Sequence, residues 1–460
     1  MSLLIKNGEI VTASERFVAD IYCDNETITR IDRGLAAPPG AEVIDAAGKY
    51  VFPGFIDPHV HIYMPFMGGF ARDTHETASH AALAGGTTTF IEMICPSRND
   101  RPLEAFELWR GKAEGHSACD YTFHMGVTRF DEAAERDFRE IVQRGVSSFK
   151  VFLAYKGAFG VSDEELFRTL RLGRELGVIT TAHCENAELI DALQKQLLAE
   201  GKTGPEYHYW SRPPAVEAEG VHHLLTFAER LGAHVYIVHL SCEEALAEAV
   251  RGARRGARVW IETLIQYLLC DKSDAERADF EGAKFVMSPP LRDKRNQEVL
   301  WNALRQGFIS TLATDHAPFD FKTQKIMGRG DFTKIPNGIP SLEDRVTLYF
   351  THGVKGGRMD LHRFVDTAST QAAKIFGLFP RKGTIQPGAD ADLVVFDPEA
   401  KGRISAATHH SRVDYNAFEG MEIQGRPEIV TVRGKVAARH GQFVGEAGRG
   451  RFLQREPNHF

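Results

Sequence analysis

The chain has 460 residues, 43% of them apolar and 25% charged, with a net charge of −7. That length exceeds one ordinary core and suits a large domain with a smaller one. So mild a negative charge argues against a nucleic-acid binder, and no run of about 18 apolar residues is present to cross a membrane.

The first residues, Met1 to Gly8, lack a basic region followed by a long apolar stretch and read as a strand and turn rather than a signal peptide. Residues 4–11 (LIKNGEIV) and the alternating stretch 19–31 resemble residues 429–444 (IVTVRGKVAARHGQFV). Both ends read as short strands joined by Asn-Gly or Arg-Gly turns, the signature of hairpins. A small β-sandwich domain is therefore expected from residues 1–52 and 376–445, closing around a central domain of residues 53–375. Six cysteines, Cys23, Cys95, Cys119, Cys184, Cys242 and Cys270, are scattered with no CxxC pair. Free thiols in a reducing cytoplasm are the simplest expectation.

The central region alternates strand-like and helix-like segments. Eight candidate strands lie at residues 52–61, 87–93, 122–127, 147–153, 178–183, 235–240, 258–262 and 309–315. Most are nearly continuous apolar runs, as expected of strands buried on both faces. Ser162 and Glu165 form a capping box ahead of Leu166, Phe167 and Leu170. Eight such units predict a (β/α)8 barrel with insertions. Residues 271–295, dense in charge and broken by Pro289-Pro290, read as a long loop.

Active sites of such barrels sit at the C-terminal ends of the strands. The first strand ends in His59-Val60-His61, and residues two apart on a strand share a side, so the two imidazoles make a natural metal seat. The fourth carries Lys150, an oddity, because an ammonium in an apolar strand is costly unless neutralised or paired. The fifth ends at His183, the sixth at His239 and the eighth at Asp315. Singly each is ambiguous: Asp315 alone could cap the next helix. Their conjunction at one end of five strands points to a metal site. Of the other histidines, His222, His223, His316, His409 and His410 are read as solvated or as lying behind the ligands, and alternation turns His316 away from the metals.

Pro53-Gly54-Phe55-Ile56-Asp57-Pro58-His59-Val60-His61 resembles the opening signature of the amidohydrolase superfamily. Gly85-Gly86-Thr87-Thr88-Thr89 resembles its second-strand approach, and Gly383-Thr384-Ile385 with Ala389-Asp390-Ala391-Asp392-Leu393-Val394 resembles its return into the β domain. Within it, His61-Ile62-Tyr63-Met64-Pro65-Phe66, Ser288-Pro289-Pro290-Leu291-Arg292 and Asn337-Gly338-Ile339-Pro340 are similar to the hydantoinase and dihydropyrimidinase branch, over essentially the full chain.

The resemblance implies two Zn2+ ions, with Mn2+ or Co2+ also accepted by such ligands. It implies that Lys150 is carboxylated by CO2 to a carbamate bridging the metals. His59, His61 and Asp315 are then assigned to one ion, His183 and His239 to the other. The mechanism expected is attack of a metal-bridging hydroxide on a cyclic amide, with Asp315 as general base and then acid, and Tyr155 donating to the developing oxyanion. Ser288 and Asn337 are expected to offer backbone groups to the ring's imide edge. Tyr63, Met64, Phe66, Cys95, Phe152, Tyr155 and Phe159 are expected to meet the substrate's side group. Tyr63 stands where dihydroorotase carries an arginine for its substrate's carboxylate, so dihydroorotase ranks low as an alternative. Allantoinase fits the aromatic loops less well. Scaffold relatives that have lost the ligands are disfavoured by the complete set here. The tail, residues 446–460 with Phe452, Leu453 and Phe460, is expected from relatives to pack on a neighbouring subunit in a homotetramer.

Overall fold

A computed structural model describes residues 2–457. Eight parallel strands form the central sheet in chain order: Phe55–Val60, Thr87–Ile94, Asp120–Gly126, Ser148–Phe152, Ile179–His183, His234–Ile237, Arg258–Leu264 and Thr311–Ala313. The first and last meet through a parallel bridge between Val60 and His316 and a 2.7 Å hydrogen bond from the His61 amide to the His316 carbonyl, which brings the sheet round into a barrel. Helices lie between most strands and cover them, as a sheet buried on both faces requires. The capping box at Ser162 and Glu165 starts the helix Asp163–Leu176, and the stretch 271–295 forms a loop with only two short 3-10 turns before its helix begins at Arg295.

The seam is reinforced from inside. Asp57 on the first strand accepts from the Thr314 hydroxyl at 2.7 Å. The fully buried Arg345 donates to the carbonyls of Ile56 and Leu312, at 2.9 and 2.7 Å, so one guanidinium holds both edge strands.

Nine strands from both ends form a second sheet, mostly antiparallel, with its own apolar cluster around Ile5, Ile21, Val51, Ala391 and Val395. Tyr50–Pro53 joins its halves, pairing parallel with Leu3–Val11 and antiparallel with Leu393–Arg403. The single strand expected over residues 52–61 is thus two. The break falls at Gly54, whose amide donates to the Asp392 carbonyl and where a Cβ would meet the Thr88 hydroxyl at 2.1 Å. The Arg433-Gly434 turn forms as expected, between Glu422–Val432 and Lys435–Arg439. Asn7-Gly8, expected as a turn, is instead a bulge inside Leu3–Val11, where the Asn7 amide is held by the Asp20 carboxylate.

Among the described residues no helix is long and apolar enough to cross a membrane. All six cysteines are buried and free. The tail as far as residue 457 lies against its own barrel: the Tyr121 amide donates to the Arg451 carbonyl, the Leu453 amide donates to the Tyr121 carbonyl, Leu453 is buried, and the fully buried Arg455 donates to Thr122, Phe123 and Ser148. Phe460 lies outside the described residues.

Candidate metal centre

Each strand ends where the chain must turn outward, and three of the residues at these ends adopt left-handed backbone: Tyr155 (φ 59°), His239 (φ 41°) and Asp315 (φ 49°). Such conformations in non-glycine residues persist only where the surroundings hold them, and they gather at functional sites. They also shorten two expected strands. The sixth stops at Ile237 and the eighth at Ala313, so His239 and Asp315 project from the first residues of the following loops.

His59 and His61 bring their Nε2 atoms to 3.2 Å from one another, and each lies 3.1 Å from Asp315 Oδ1. These three residues form one cluster able to hold a metal ion. His183 and His239 form a neighbouring pair with ring centroids 4.5 Å apart, and His239 in turn lies 5.4 Å from His59. Burial holds both imidazoles well below the usual histidine range, as neutral rings with a free lone pair. Lys150 is fully buried, its Nζ 4.8 Å from the Phe152 ring centre and without any hydrogen-bond partner. Desolvation lowers its pKa, favouring an uncharged amine.

His61, Lys150, His183, His239 and Asp315 line one cavity together with Met64, Phe152, Tyr155, Ser288, Ala317 and Asn337. The Ser288 and Asn337 side chains hydrogen-bond the Tyr155 hydroxyl, while burial raises its pKa and keeps it protonated. Gly338 allows the Asn337 turn: its φ is 152° and a Cβ would meet the Ala317 carbonyl at 2.4 Å.

The other residues expected to touch substrate are not among those lining this cavity, though Phe66 and Phe159 pack beside residues that are. Tyr63 stacks on Phe70 at 4.2 Å and stands edge-on to Trp109. Phe66 packs on Phe319, and Phe159 on Phe152. Cys95 Sγ lies 3.8 Å from His61 Nδ1, behind the imidazole, with burial pushing its thiol up to about 12. His316 does turn away from the cluster, into a 2.9 Å pair with Asp73. His409 and His410 are paired with Asp344 and Glu343, and His222 and His223 lie on the helix Pro214–Leu231 with Glu248, Asp163 and Glu219 as partners.

Sequence reasoning missed the carboxylates behind the ligands. Glu262 accepts from His59 Nδ1 at 2.7 Å, from the His239 amide at 2.9 Å and from the Tyr236 hydroxyl at 2.8 Å. Glu185 accepts from His183 Nε2 at 2.7 Å and from Arg212, whose guanidinium sits 5.3 Å from the Tyr155 ring. Such partners fix ring orientation and leave one nitrogen of each histidine for a metal. One signal for Glu262 was present: a carboxylate inside the apolar run 259–264 is as anomalous as Lys150.

A model of the amidohydrolase family matches residues 50–437. The chain belongs to the amidohydrolase family, whose members carry a binuclear metal centre. Within it, the chain is 49% identical over 456 residues to a D-hydantoinase of Geobacillus stearothermophilus, covering 99% of this chain and 97% of that one. It is 40% identical to a dihydropyrimidinase of Rattus norvegicus, covering 99% and 89%. Among solved structures, a D-hydantoinase (dihydropyrimidinase) from Thermus sp. superposes with a TM-score of 0.98 at 65% identity, covering all of both chains.

The residues present fit such a centre. The orphaned Lys150 amine lines the same cavity as His61, Asp315, His183 and His239, where a carbamate formed on it would have partners.

Proposed function

We propose that the chain opens the cyclic amide bond of 5-substituted hydantoins and dihydropyrimidines to give N-carbamoyl amino acids, with a preference for D-configured hydantoins. The single observation that carries the reading is the unpartnered, desolvated Lys150 Nζ in the one cavity that His61, Asp315, His183 and His239 also line. The names of the relatives support the substrate class and the stereopreference.

His59, His61 and Asp315 would hold one Zn2+, His183 and His239 the other, and a carbamate on Lys150 would join them; Mn2+ or Co2+ suit the same ligands. When bound, such ions supply Lewis acidity and a water-derived nucleophile at neutral pH. The chain's own groups do the rest. In its uncharged form, which burial favours, the Lys150 amine attacks CO2, forming the N–C bond and releasing a proton. Asp315 accepts the proton of the attacking water and returns it to the departing ring nitrogen. The Tyr155 hydroxyl donates to the carbonyl oxygen as charge builds there. Ser288 and Asn337 meet the ring's imide edge, and Met64 and Phe152 border the 5-substituent. The assembly is proposed as a cytoplasmic homotetramer, with buried thiols that suit a reducing compartment.

Turnover of paired enantiomers of a 5-aryl hydantoin, dihydrouracil and dihydroorotate tests the reading. The D-hydantoin is expected to be the best substrate, and dihydroorotate as the best would overturn the substrate assignment. Lys150→Ala is expected to lose bound metal and activity together, measured by metal analysis beside kinetics. An active, metal-loaded variant would refute the bridging role.

A further inference from the structure

A second lysine, Lys325, is as thoroughly buried as Lys150, and its amine bonds to backbone carbonyls rather than to a carboxylate. It opens a 3-10 turn at Lys325–Gly328 in the long segment after the eighth strand. Its Nζ donates to two backbone carbonyls, Val286 at 2.9 Å and Pro336 at 3.0 Å. Val286 lies two residues before Ser288, and Pro336 immediately precedes Asn337. The Gly338 amide closes the same junction by donating to the Val286 carbonyl at 3.0 Å.

The surroundings explain why a lysine stands there. The two segments meet without a strand ladder: the Val286 carbonyl takes one backbone donor, from Gly338, and Lys325 supplies the donor for the Pro336 carbonyl and a second one for Val286. Val286 and Ile335 belong to an apolar cluster with Ala283 and Phe332. Burial drives the Lys325 pKa well down, toward a neutral amine. A neutral amine has two N–H groups, which matches the two carbonyls.

We propose that Lys325 is a positioning residue for substrate binding, a cross-link that sets the separation of Ser288 and Asn337 where they face the substrate ring. It touches neither ligand cluster nor cavity; it acts through the two loops that do. The proposal rests on the reading of Ser288 and Asn337 as ring-binding residues.

The test uses the full, metal-loaded chain with Lys325→Met, which keeps the side chain's bulk and removes its donors, and Lys325→Gln, which keeps donors on a shorter arm. Hydantoin hydrolysis, metal content and amide hydrogen exchange over residues 286–291 and 335–340 are measured. Lys325→Met is expected to retain its metals and to raise KM about tenfold, with kcat within about threefold of the parent, the split expected when ground-state and transition-state binding are lost alike. Its Gly338 amide is expected to exchange faster. Lys325→Gln is expected to fall between, with KM raised about threefold, and decides the matter if the Met variant does not fold. Parental KM and exchange in the folded variants would overturn the proposal. So would a joint fall of kcat and metal content, which would place Lys325's effect at the ligands. Should the parent chain not hydrolyse hydantoin at all, the proposed function fails, while the exchange rates still decide whether Lys325 holds the two loops.

Discussion

Glu262 governs both halves of the centre without being among the proposed ligands. Its carboxylate fixes the His59 ring through Nδ1 and the His239 backbone through its amide, so His59 can present only Nε2 to the cluster. Glu262→Gln should bind metal about 10–100-fold more weakly, read by chelator competition on protein whose circular dichroism is unchanged; equal affinity would remove Glu262 from this role. Tyr155→Phe addresses a different atom. Its kcat should fall about 10²–10³-fold with metal content intact, and a variant of parental kcat would show that the hydroxyl does not meet the oxyanion. The sequence made the proposed histidine and aspartate ligands legible because each lies at or just past a strand's end, whereas Lys150, inside its strand, was legible only as an anomaly. Glu262 and Glu185 were not, since their roles depend on which strands become neighbours. Tyr63 was legible as a neighbour of His61 in sequence, but the stacking of its ring on Phe70 was not, since it depends on how the chain turns.

The tail is the element whose place in the fold the sequence announced least. Residues 446–457 are mixed in charge and aromatic content, yet Arg451 and Leu453 bond to Tyr121 of the third barrel strand, with Leu453 1% exposed. No periodicity announces this, because the segment is held by single backbone bridges and by Arg455 reaching Thr122 and Ser148 rather than by a repeating face. Leu453→Ala should cost about 2–5 kcal/mol, measured by denaturant unfolding. A cost near zero would mean that the tail lies on the barrel without stabilising it. The barrel strands were legible as apolar runs. Their limits were not, because Gly54, His239 and Asp315 end or divide strands through backbone conformation that composition does not reveal.

At the scale of the molecule, charges tie the terminal sheet to the barrel. Lys382 lies between Asp120 of the third barrel strand and Asp392, at 2.7 Å from each, and Arg433 pairs with Asp120 from the other side. Burial opposes ionisation of Asp120, but these cations outweigh it and hold its pKa down at about 2. The segment between the last long strands reaches the barrel mouth, where His409 pairs with Asp344 at 3.0 Å. Burial lowers that imidazole's pKa, and the facing Asp344, Glu343 and Glu419 outweigh it, raising it from 6.5 to about 9. A raised pKa stabilises the fold fully below the unfolded value and loses that contribution as pH climbs through the folded one. Thermal stability should therefore decline between pH 6.5 and about 9, and His409→Gln should flatten that decline; an unchanged slope would assign it to other groups. The Asp120 contribution has the opposite sense, present above about pH 4 and lost as pH falls toward 2. That both termini share one sheet was legible from their matching hairpin patterns, but the ion pairs joining it to the barrel were not.

The seam at Tyr50–Pro53 bears on how the chain is made. Its parallel neighbour Leu3–Val11 leaves the ribosome early, but its antiparallel neighbour Leu393–Arg403 emerges only after the whole barrel has been translated. At about 5–20 residues per second that interval is on the order of tens of seconds. Through it the first strands present an unpaired edge, a template for misassembly between nascent chains. Arg455 and Leu453 arrive later still, so the base of the barrel is completed only after the last strand of the terminal sheet has emerged.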